Sequence, residues 1–228
     1  MSLVGGTRLM GAYGWKGCGV TGLFVAFEGA DGTGKSTQVA AVAKALRHSG
    51  HDVVVTREPG GSDVAETLRA LVLDPATHID DMTETLLFAA ARADHVAKTI
   101  LPALHAGKVV VSDRFVGSSI AYQGAGRGIR EDAVTQINEY ATGGLHPDLT
   151  VVLDLDATVA GVRRDDRGEI IDRMESAPDG FQEAVRASFL DQVKAAPGRH
   201  MLVPAAQAPE TITAQILTHL ETNYAVEL

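Results

Sequence analysis

The chain carries the stretch Leu23-Phe24-Val25-Ala26-Phe27-Glu28-Gly29-Ala30-Asp31-Gly32-Thr33-Gly34-Lys35-Ser36-Thr37 close to its N-terminus. Its first five residues are an apolar run of strand length, and residues 29–36 fit the pattern G-x-x-x-x-G-K-[ST]. The segment that follows, residues 38–48, repeats apolar residues at helical spacing. A strand, a glycine-rich turn and a helix are the context in which this pattern forms a phosphate-binding loop. The stretch therefore predicts a site for nucleotide phosphates.

Each residue type of this loop has a role in phosphate binding. Glycines allow backbone N–H groups to turn towards phosphate oxygens, and the N-terminus of the following helix adds a favourable dipole. We expect Lys35 to reach the β- and γ-phosphates and the Ser36 hydroxyl to ligate Mg²⁺. An ordinary glycine-rich turn with a capping Ser or Thr explains the glycines but not the lysine. The predicted phosphate-binding residues are Gly29, Ala30, Asp31, Gly32, Thr33, Gly34, Lys35, Ser36 and Thr37.

The composition is that of a folded, acidic protein. Its 228 residues suffice for one α/β domain, and 45% of them are hydrophobic. The formal net charge of −9 argues against non-specific binding to nucleic acid or to an anionic membrane. No segment approaches the ~18 continuous apolar residues of a membrane span. The net charge does not exclude an anionic small-molecule substrate, because a local arginine cluster can attract it. We therefore expect small molecules as the partners.

Cysteine usage and the N-terminal residues bear on location and domain boundaries. Cys18 is the only cysteine, which excludes an internal disulfide and fits a reducing cytoplasm. Residues 1–22 are rich in glycine and lack the apolar core of a signal peptide. We interpret them as a flexible extension, with packing of Tyr13 and Trp15 on the body or on a partner as the alternative. Residues 23–228 are expected to form one domain.

Strand and helix patterns alternate along the rest of the chain. The strand patterns are continuously apolar, as in parallel strands buried on both faces. They cover residues 23–27, 52–56, 108–112, 149–155 and, more weakly, 200–203. Helical patterns cover residues 38–48, 64–73, 83–106 (kinked or ended at Pro102), 131–142, 181–195 and 209–223. This alternation predicts a doubly wound α/β fold, a parallel sheet of about five strands flanked by helices.

Charged residues follow the predicted strands at their carboxyl ends, where such sheets bind ligands. Asp113 at the end of the third strand is expected to hold Mg²⁺, directly or through water. Arg114 is expected to bind a phosphate through its guanidinium fork, or else to form an ion pair with Asp113. After the second strand, Arg57 and Glu58 either orient a phosphate or a sugar hydroxyl, or form a structural ion pair.

Two further features lie outside the strand ends. Phe88 and Arg92 are four residues apart in the long helix and therefore share a face, where Phe88 either stacks on a base or belongs to the core. The charged run 163–173 contains four arginines. It is either a solvated face or a mobile lid, about residues 162–174, that brings arginines to a transferred phosphate. The lid is favoured because Gly32 places no cation in the loop itself.

Taken together, these motifs resemble the thymidylate kinase family. The resemblance rests on FEGADGTGKST (27–37), TREPGG (56–61), LLFAAAR (86–92), SDRFVGSSIAYQG (112–124) and DRME (172–175), which appear in family order. It implies a P-loop NTPase fold with a mobile lid and phosphorylation of dTMP to dTDP for dTTP synthesis. ATP and Mg²⁺ are the implied cofactors, and a homodimer the usual assembly. Glycine at position 32 beside an arginine-rich lid resembles the bacterial type, in which the lid supplies the arginine.

The resemblance also assigns roles to residues of this chain. Phe88 would stack on thymine, with Arg92 and Gln123 reading base edges, and Tyr122 would lie against the deoxyribose, where a 2′-hydroxyl would be crowded. The implied dTMP-binding residues are Asp31, Arg57, Glu58, Phe88, Arg92, Arg114, Ser118, Tyr122 and Gln123. The implied catalytic residues are Lys35, Arg57, Arg114 and the lid arginines Arg163, Arg164 and Arg167, and the metal-binding residues are Ser36 and Asp113.

The sequence departs from the family pattern at two places. Phe115 stands where the family often has Tyr or His, so a hydrogen bond from that side chain is lost. Val203-Pro204-Ala205 stands where an Asp-Ala pair is common, near the expected adenine loop.

A phosphate-binding loop in an α/β fold also occurs in proteins of other function, and three alternatives apply to this chain. Another nucleoside monophosphate or deoxynucleoside kinase shares the fold and the chemistry, and only acceptor competition separates it. A GTPase switch would read guanine through Asn-Lys-x-Asp, but neither Asn138 nor Asn223 precedes a lysine. An inactive nucleotide-binding module is disfavoured by the intact Lys35, Ser36 and Asp113.

Overall fold

A five-stranded parallel sheet forms the centre of the computed structural model, which describes residues 21–165 and 180–228. The strand order is β2-β3-β1-β4-β5, and every pairing is parallel. The strands are β1 (Leu23–Glu28), β2 (Val53–Arg57), β3 (Val109–Asp113), β4 (Leu149–Asp154) and β5 (His200–Pro204). The predicted parallel sheet of about five strands is confirmed.

Helices cover both faces of this sheet. They are α1 (Lys35–His48), α2 (Asp63–Leu73), α3 (Asp81–His95), α4 (Leu101–His105), α5 (Val116–Ser119), α6 (Glu131–Thr142), α7 (Ala157–Asp165), α8 (Phe181–Ala195) and α9 (Pro209–Tyr224). Two π-helical segments join this series, Val96–Ile100 between α3 and α4 and Ile120–Gly126 after α5. Among the residues described, no helix has the length and apolarity that a bilayer crossing requires.

Alternate side chains of β1 build two separate cores. Val25 and Phe27 pack with Val42 and Leu46 of α1 on one face of the sheet. Phe24 and Ala26 point to the other face, where they pack with the π-helical segment Val96–Ile100 and α4. Successive residues of a strand point to opposite faces, so a continuously apolar strand is what a sheet covered on both sides requires.

The helix predicted over residues 83–106 begins earlier than expected, and of the two alternatives at Pro102, a kink or an end, the structure excludes the end. It begins earlier, at Asp81, where the Asp80 carboxylate caps it by accepting a hydrogen bond from the Met82 N–H. Pro102 does not end it, because the chain continues helically to His105. A proline lacks the N–H that an α-helix needs, and the wider π-helical turn of Val96–Ile100 ends just before α4, the helix that contains Pro102.

Two helical regions were not predicted as helices. Residues 116–126 form α5 and the second π-helical segment, although their serines, glycines and β-branched residues show no helical periodicity. Hydrogen bonds to Glu28 at the end of β1 hold the start of this region. The arginine-rich stretch begins within α7, which includes the backbone of Arg163 and Arg164.

Some predictions lie outside what the structure describes. They concern the N-terminal extension as far as residue 20, the side chains of Arg163 and Arg164, and most of the predicted lid, including Arg167.

The register of the central strands brings their carboxyl ends to one level. Asp113 of β3 is the register partner of Phe27 in β1 and of Arg57 in β2. Glu28 pairs in turn with Val152 of β4. The turns that follow β1, β2 and β3 therefore meet at one edge of the sheet, and this is where ligands of open α/β sheets bind.

Gly32 allows α7 to approach the turn between β1 and α1. Its φ is +84°, and a Cβ built there would lie 2.2 Å from the backbone carbonyl oxygen of Ala160 in α7. Only a residue without a side chain fits this approach, because backbone on the opposite side cannot rotate away. The turn and the helix are thus in direct backbone contact.

We predict that Gly32→Ala destabilises the protein more than Gly50→Ala does. Both glycines have a left-handed φ, +84° and +90°, so both substitutions incur the left-handed penalty of about 1–2 kcal/mol. Only position 32 adds the clash with Ala160, since nothing lies within 4 Å of a Cβ at Gly50. Urea unfolding followed by circular dichroism should show an additional loss of about 1 kcal/mol or more at position 32. Equal losses would contradict the contact.

Candidate functional site

The turn between β1 and α1 has the backbone of a phosphate-binding loop. Gly29, Gly32 and Gly34 all have positive φ values, of 136°, 84° and 89°. The Ala30 carbonyl accepts hydrogen bonds from Lys35 Nζ at 2.8 Å and from Thr33 Oγ1 at 2.9 Å. These bonds fold the loop around its own lysine, directly before the N-terminus of α1.

The Lys35 side chain, which ends in an ammonium group, is buried. Only 6% of its surface is exposed, and Asp31 Oδ1 lies 3.9 Å from its Nζ. Burial lowers the pKa of Lys35 to about 8, and repulsion from Arg114 acts in the same direction, while the nearby carboxylates oppose the shift. A buried cation at a helix N-terminus is poised to gain from an anionic ligand.

Asp31, Arg114 and Tyr122 form a compact ionic cluster beside this lysine. The Arg114 guanidinium pairs with the Asp31 carboxylate, and the Tyr122 hydroxyl donates to Asp31 Oδ2 at 2.7 Å. Burial alone would raise the pKa of Asp31, but the charges of Arg114 and Lys35 and the hydrogen bonds outweigh it and lower the pKa below its usual range. Asp31 therefore stays ionised. Arg114 pairs with Asp31 and not with its neighbour Asp113.

Glu28 was not among the predicted site residues, yet it holds the turn that carries Arg114. Its Oε1 accepts from the backbone N–H groups of Phe115 and Ser118 at 2.9 and 3.0 Å, and its Oε2 accepts from Ser118 Oγ at 2.6 Å. Burial raises the pKa of Glu28, and these hydrogen bonds with the charge of Arg114 offset part of that effect. A glutamate at the end of a buried strand was the available sequence signal.

The same turn places Arg114 in an uncommon backbone conformation. Its φ is +73°, in the left-handed region that residues with a Cβ adopt at a cost. The Phe27 carbonyl accepts from the Arg114 N–H at 2.8 Å, and Ser112 Oγ donates to the Arg114 carbonyl at 2.8 Å. Both bonds fix the arginine where its side chain reaches across to the phosphate-binding loop.

Ser36 and Asp113 lie together at the mouth of the loop. Ser36 Oγ donates to Asp113 Oδ2 at 2.6 Å, although the two residues are 77 positions apart. A hydroxyl and a carboxylate are hard oxygen donors of the kind that Mg²⁺ prefers, with water and phosphate oxygens completing its shell. Among the described residues, no group of three or more histidine, cysteine or acidic side chains is placed so that it could hold a metal ion by itself. The pair fits a magnesium ion shared with a nucleotide.

The Arg57–Glu58 ion pair that was one alternative is not formed. Arg57 is the last residue of β2, Glu58 follows it in the turn, and each side chain has a different partner. Arg57 is half exposed and donates to Glu66 Oε2 at 2.9 Å. Glu58 is buried, and it accepts from Arg92 Nε at 2.7 Å and contacts His95 Nδ1 at 3.0 Å.

Arg92 is more deeply engaged in the protein than its predicted role suggested. It is 2% exposed, and besides Glu58 it donates to Ser119 Oγ at 2.9 Å, to the Phe115 carbonyl at 3.0 Å and to Asn138 Oδ1. Among the described residues, these bonds take four of the five N–H groups of a guanidinium. Its plane also lies over the Phe115 ring, 5.5 Å from the centroid.

The two departures from the family pattern have structural accounts. The Phe115 ring is 1% exposed and meets Phe24 edge to face, with centroids 4.9 Å apart. At the position where the family often has a polar Tyr or His, this chain therefore has a side chain that packs in the core. After β5, the Ala205 N–H donates to the Asp154 carbonyl at 2.7 Å, so this loop remains tied to the end of β4.

One cavity of about 490 Å³ collects most of the predicted site residues. Its lining includes Asp31, Gly32, Gly34, Lys35, Ser36, Thr37, Arg57, Glu58, Phe88, Arg92, Asp113, Arg114, Ser118, Tyr122 and Gln123. Gly29, Ala30 and Thr33 are not in its wall. The lining also contains four residues that were not among the predicted site residues, namely Pro59, Arg69, Leu73 and Ser119. Arg69 donates to the Pro59 carbonyl at 2.8 Å, a contact without a local sequence signal.

Comparison with known proteins assigns this architecture to a family. The family model described as Thymidylate kinase matches residues 27–216. A thymidylate kinase of Clavibacter michiganensis is 46% identical over 202 residues, covering 89% of this chain and 96% of that protein. One of Cereibacter sphaeroides is 48% identical, covering 86% and 93%. The crystal structure of thymidylate kinase from Ehrlichia chaffeensis superposes with a TM-score of 0.73 at 32% identity, covering 87% of this chain and 98% of that one. The chain belongs to the thymidylate kinase family.

Proposed function

We propose that this chain phosphorylates dTMP to dTDP, with ATP as the phosphoryl donor. The observation that carries the proposal is the single cavity in which a phosphate-binding loop and the side chains suited to a pyrimidine nucleotide face each other. The family assignment makes the chain a kinase of nucleotide biosynthesis. The product would then be available for conversion to dTTP.

On the donor side, the loop would hold the ATP phosphates. Its glycines let the backbone approach the phosphate oxygens, and the N-terminus of α1 adds a favourable field. The Lys35 ammonium would contact the β- and γ-phosphates, where it would be desolvated and therefore strongly interacting. To reach the phosphates, the Lys35 ammonium would have to release its hydrogen bond to the Ala30 carbonyl.

On the acceptor side, Arg57 and Arg114 would bind the dTMP phosphate. Arg57 is half exposed in the cavity wall and can turn from Glu66 to a stronger phosphate partner. Asp31 and Tyr122, already joined by a hydrogen bond, would lie against the deoxyribose. Burial raises the pKa of the Tyr122 phenol well above its usual value, so its hydroxyl keeps its proton. The remaining dTMP contacts are assigned to Glu58, Phe88, Arg92, Ser118 and Gln123.

Ser36 and Asp113 would hold Mg²⁺, and their 2.6 Å contact supports this assignment. When bound, the ion would neutralise charge on the phosphates of ATP. The protein groups align donor and acceptor for in-line transfer, with no covalent enzyme intermediate. The acceptor is already an anionic phosphate, so no strong general base is required. Arg163, Arg164 and Arg167 are proposed to stabilise the developing charge as a lid over the cavity.

We further propose a homodimer in the cytoplasm. Four large apolar side chains are between 41% and 57% exposed, namely Leu71, Met82, Leu86 and Tyr140. They lie on α2, α3 and α6, and α3 packs against each of the other two helices. Exposed apolar side chains on adjoining helices favour a protein partner.

We expect a clear preference for dTMP in an ADP-release assay across acceptors. Wild-type protein with MgATP should turn over dTMP faster than dUMP, dCMP, dGMP or dAMP at matched concentrations. The physical reason is that a pocket with fixed polar groups rejects bases that leave those groups unpaired. Turnover of another acceptor above dTMP would assign the chain to a different nucleoside monophosphate kinase activity.

We predict that ATP affinity of the wild-type protein falls as pH rises through about 8. The lowered pKa of Lys35 means that its ammonium is charged below that pH and becomes neutral above it in the free protein. Loss of that proton removes attraction to the triphosphate, by up to about tenfold per pH unit. Isothermal titration calorimetry without acceptor measures this dependence.

Lys35→Arg is the matched control for this titration. A guanidinium stays charged throughout, so the variant should bind ATP with lower affinity but without the decline above about pH 8. A wild-type profile as flat as that of the variant would contradict a phosphate contact by Lys35.

The lid assignment predicts a separation of turnover from binding. Arg163→Ala and Arg167→Ala should lower kcat by about 10²-fold or more while dTMP affinity changes little, because transition-state charge is stabilised late. Steady-state kinetics give kcat, and equilibrium titration gives dTMP affinity. Unchanged kcat in both variants would place these arginines on a solvated face.

A further inference from the structure

One side of α3 carries a row of polar and aromatic side chains towards the cavity. Glu84, Phe88 and Arg92 follow one another at intervals of four residues and therefore share a helix face. Phe88 and Arg92 line the cavity, whereas Glu84 is 0% exposed and lies behind its wall. Glu84 is thus a buried acid in contact with Gln123, a predicted base-binding residue.

The partner of Glu84 on the cavity side is the Gln123 amide. Gln123 Nε2 donates to Glu84 Oε1 at 2.8 Å, and Gln123 is itself 2% exposed in the cavity lining. The second carboxylate oxygen, Oε2, is held by Arg127 Nη2 at 3.2 Å. The Glu84 carboxylate therefore accepts hydrogen bonds from both the Gln123 amide and the Arg127 guanidinium.

This contact determines which end of the Gln123 amide faces a ligand. An ionised carboxylate accepts hydrogen bonds and cannot donate them, so the NH₂ group must point to Glu84. The amide carbonyl oxygen is then the end left for the cavity. Turning the amide over would bring two oxygen acceptors together and would take the Gln123 donor away from the carboxylate, which is costly in a buried site.

We propose that Glu84 is a positioning residue that sets base selectivity through Gln123. The inference rests on the proposed function and deepens it. Thymine and uracil carry an N–H at ring position 3, which a carbonyl oxygen can accept. Cytosine has a bare acceptor nitrogen at the same position, which the oxygen repels. The orientation imposed by Glu84 thus selects pyrimidines that donate from this position and rejects those that accept.

The neighbouring donor favours the same bases. Arg92 retains one guanidinium N–H beyond its contacts with the described residues, and it lines the same wall. A donor beside an acceptor complements the carbonyl and N–H of thymine, whereas cytosine presents an amino donor beside an acceptor nitrogen. Sites that leave buried polar groups unpaired with the wrong ligand reach discrimination of about 10⁴-fold.

Glu84→Gln tests the proposal, because an amide at that position can donate to the Gln123 oxygen and let the Gln123 NH₂ turn to the cavity. We expect the ratio of kcat/KM for dTMP to that for dCMP to fall by about tenfold or more. Arg127→Lys is the matched control: it keeps a cation beside the carboxylate and leaves the Glu84–Gln123 bond, so its ratio should stay within about twofold of wild type.

A second variant keeps the test decisive if Glu84→Gln does not fold. Glu84→Asp preserves the charge but shortens the side chain, so it should loosen the bond to Gln123 and lower the ratio by a smaller factor. The role of Glu84 would be overturned if a folded Glu84 variant kept the wild-type ratio of kcat/KM for dTMP to that for dCMP. It would also be overturned if Arg127→Lys lowered this ratio as much as the Glu84 variants do. Failure of the wild-type protein to use dTMP would instead overturn the proposed function, so the two failures are distinguishable.

Discussion

The ion pair between Asp31 and Arg114 is the interaction on which the cavity depends. Asp31 lies in the loop after β1, and Arg114 lies in the turn after β3, 83 residues later. Their side chains are only 20% and 17% exposed, so neither charge is well solvated without the other. The pair joins the phosphate-binding loop to the turn after β3. It also acts on Lys35. Burial and the charge of Arg114 lower the pKa of Lys35, whereas the charge of Asp31 raises it.

The same compensation of buried charge recurs around the cavity. Glu58 is paired with Arg92, and Glu84 with Arg127. Glu28 differs, because its carboxylate is held by two backbone N–H groups and one hydroxyl. Each carboxylate fixes the direction of the groups that bind it, at the cost of desolvation. A phosphate ligand would therefore meet donors whose positions are already set, which reduces the reorganisation needed for transfer.

Much of the fold and part of the site could be predicted from local patterns. The strands were recognisable because both faces of the sheet are covered, which makes them continuously apolar. The carboxyl-end rule placed Asp113 and Arg114 at the cavity without any contact being known. The helical region 116–126 was not recognised, since the carboxylate of Glu28, about 90 residues earlier in the chain, holds its start. Pairing of Arg57 with Glu66, and not with Glu58, likewise depends on the turn between β2 and α2.

The sequence by itself determined the phosphate-binding loop, the parallel sheet and the resemblance to thymidylate kinases, because these follow from local spacing and strand-length apolar runs. Only the tertiary structure decided which charges are paired and which face the cavity. Ion pairs such as Asp31 with Arg114 join residues far apart in the chain, and their strength depends on burial. Neither separation in space nor burial is written in local sequence. The direction of the Gln123 amide is of this second kind, since Glu84 on another helix sets it.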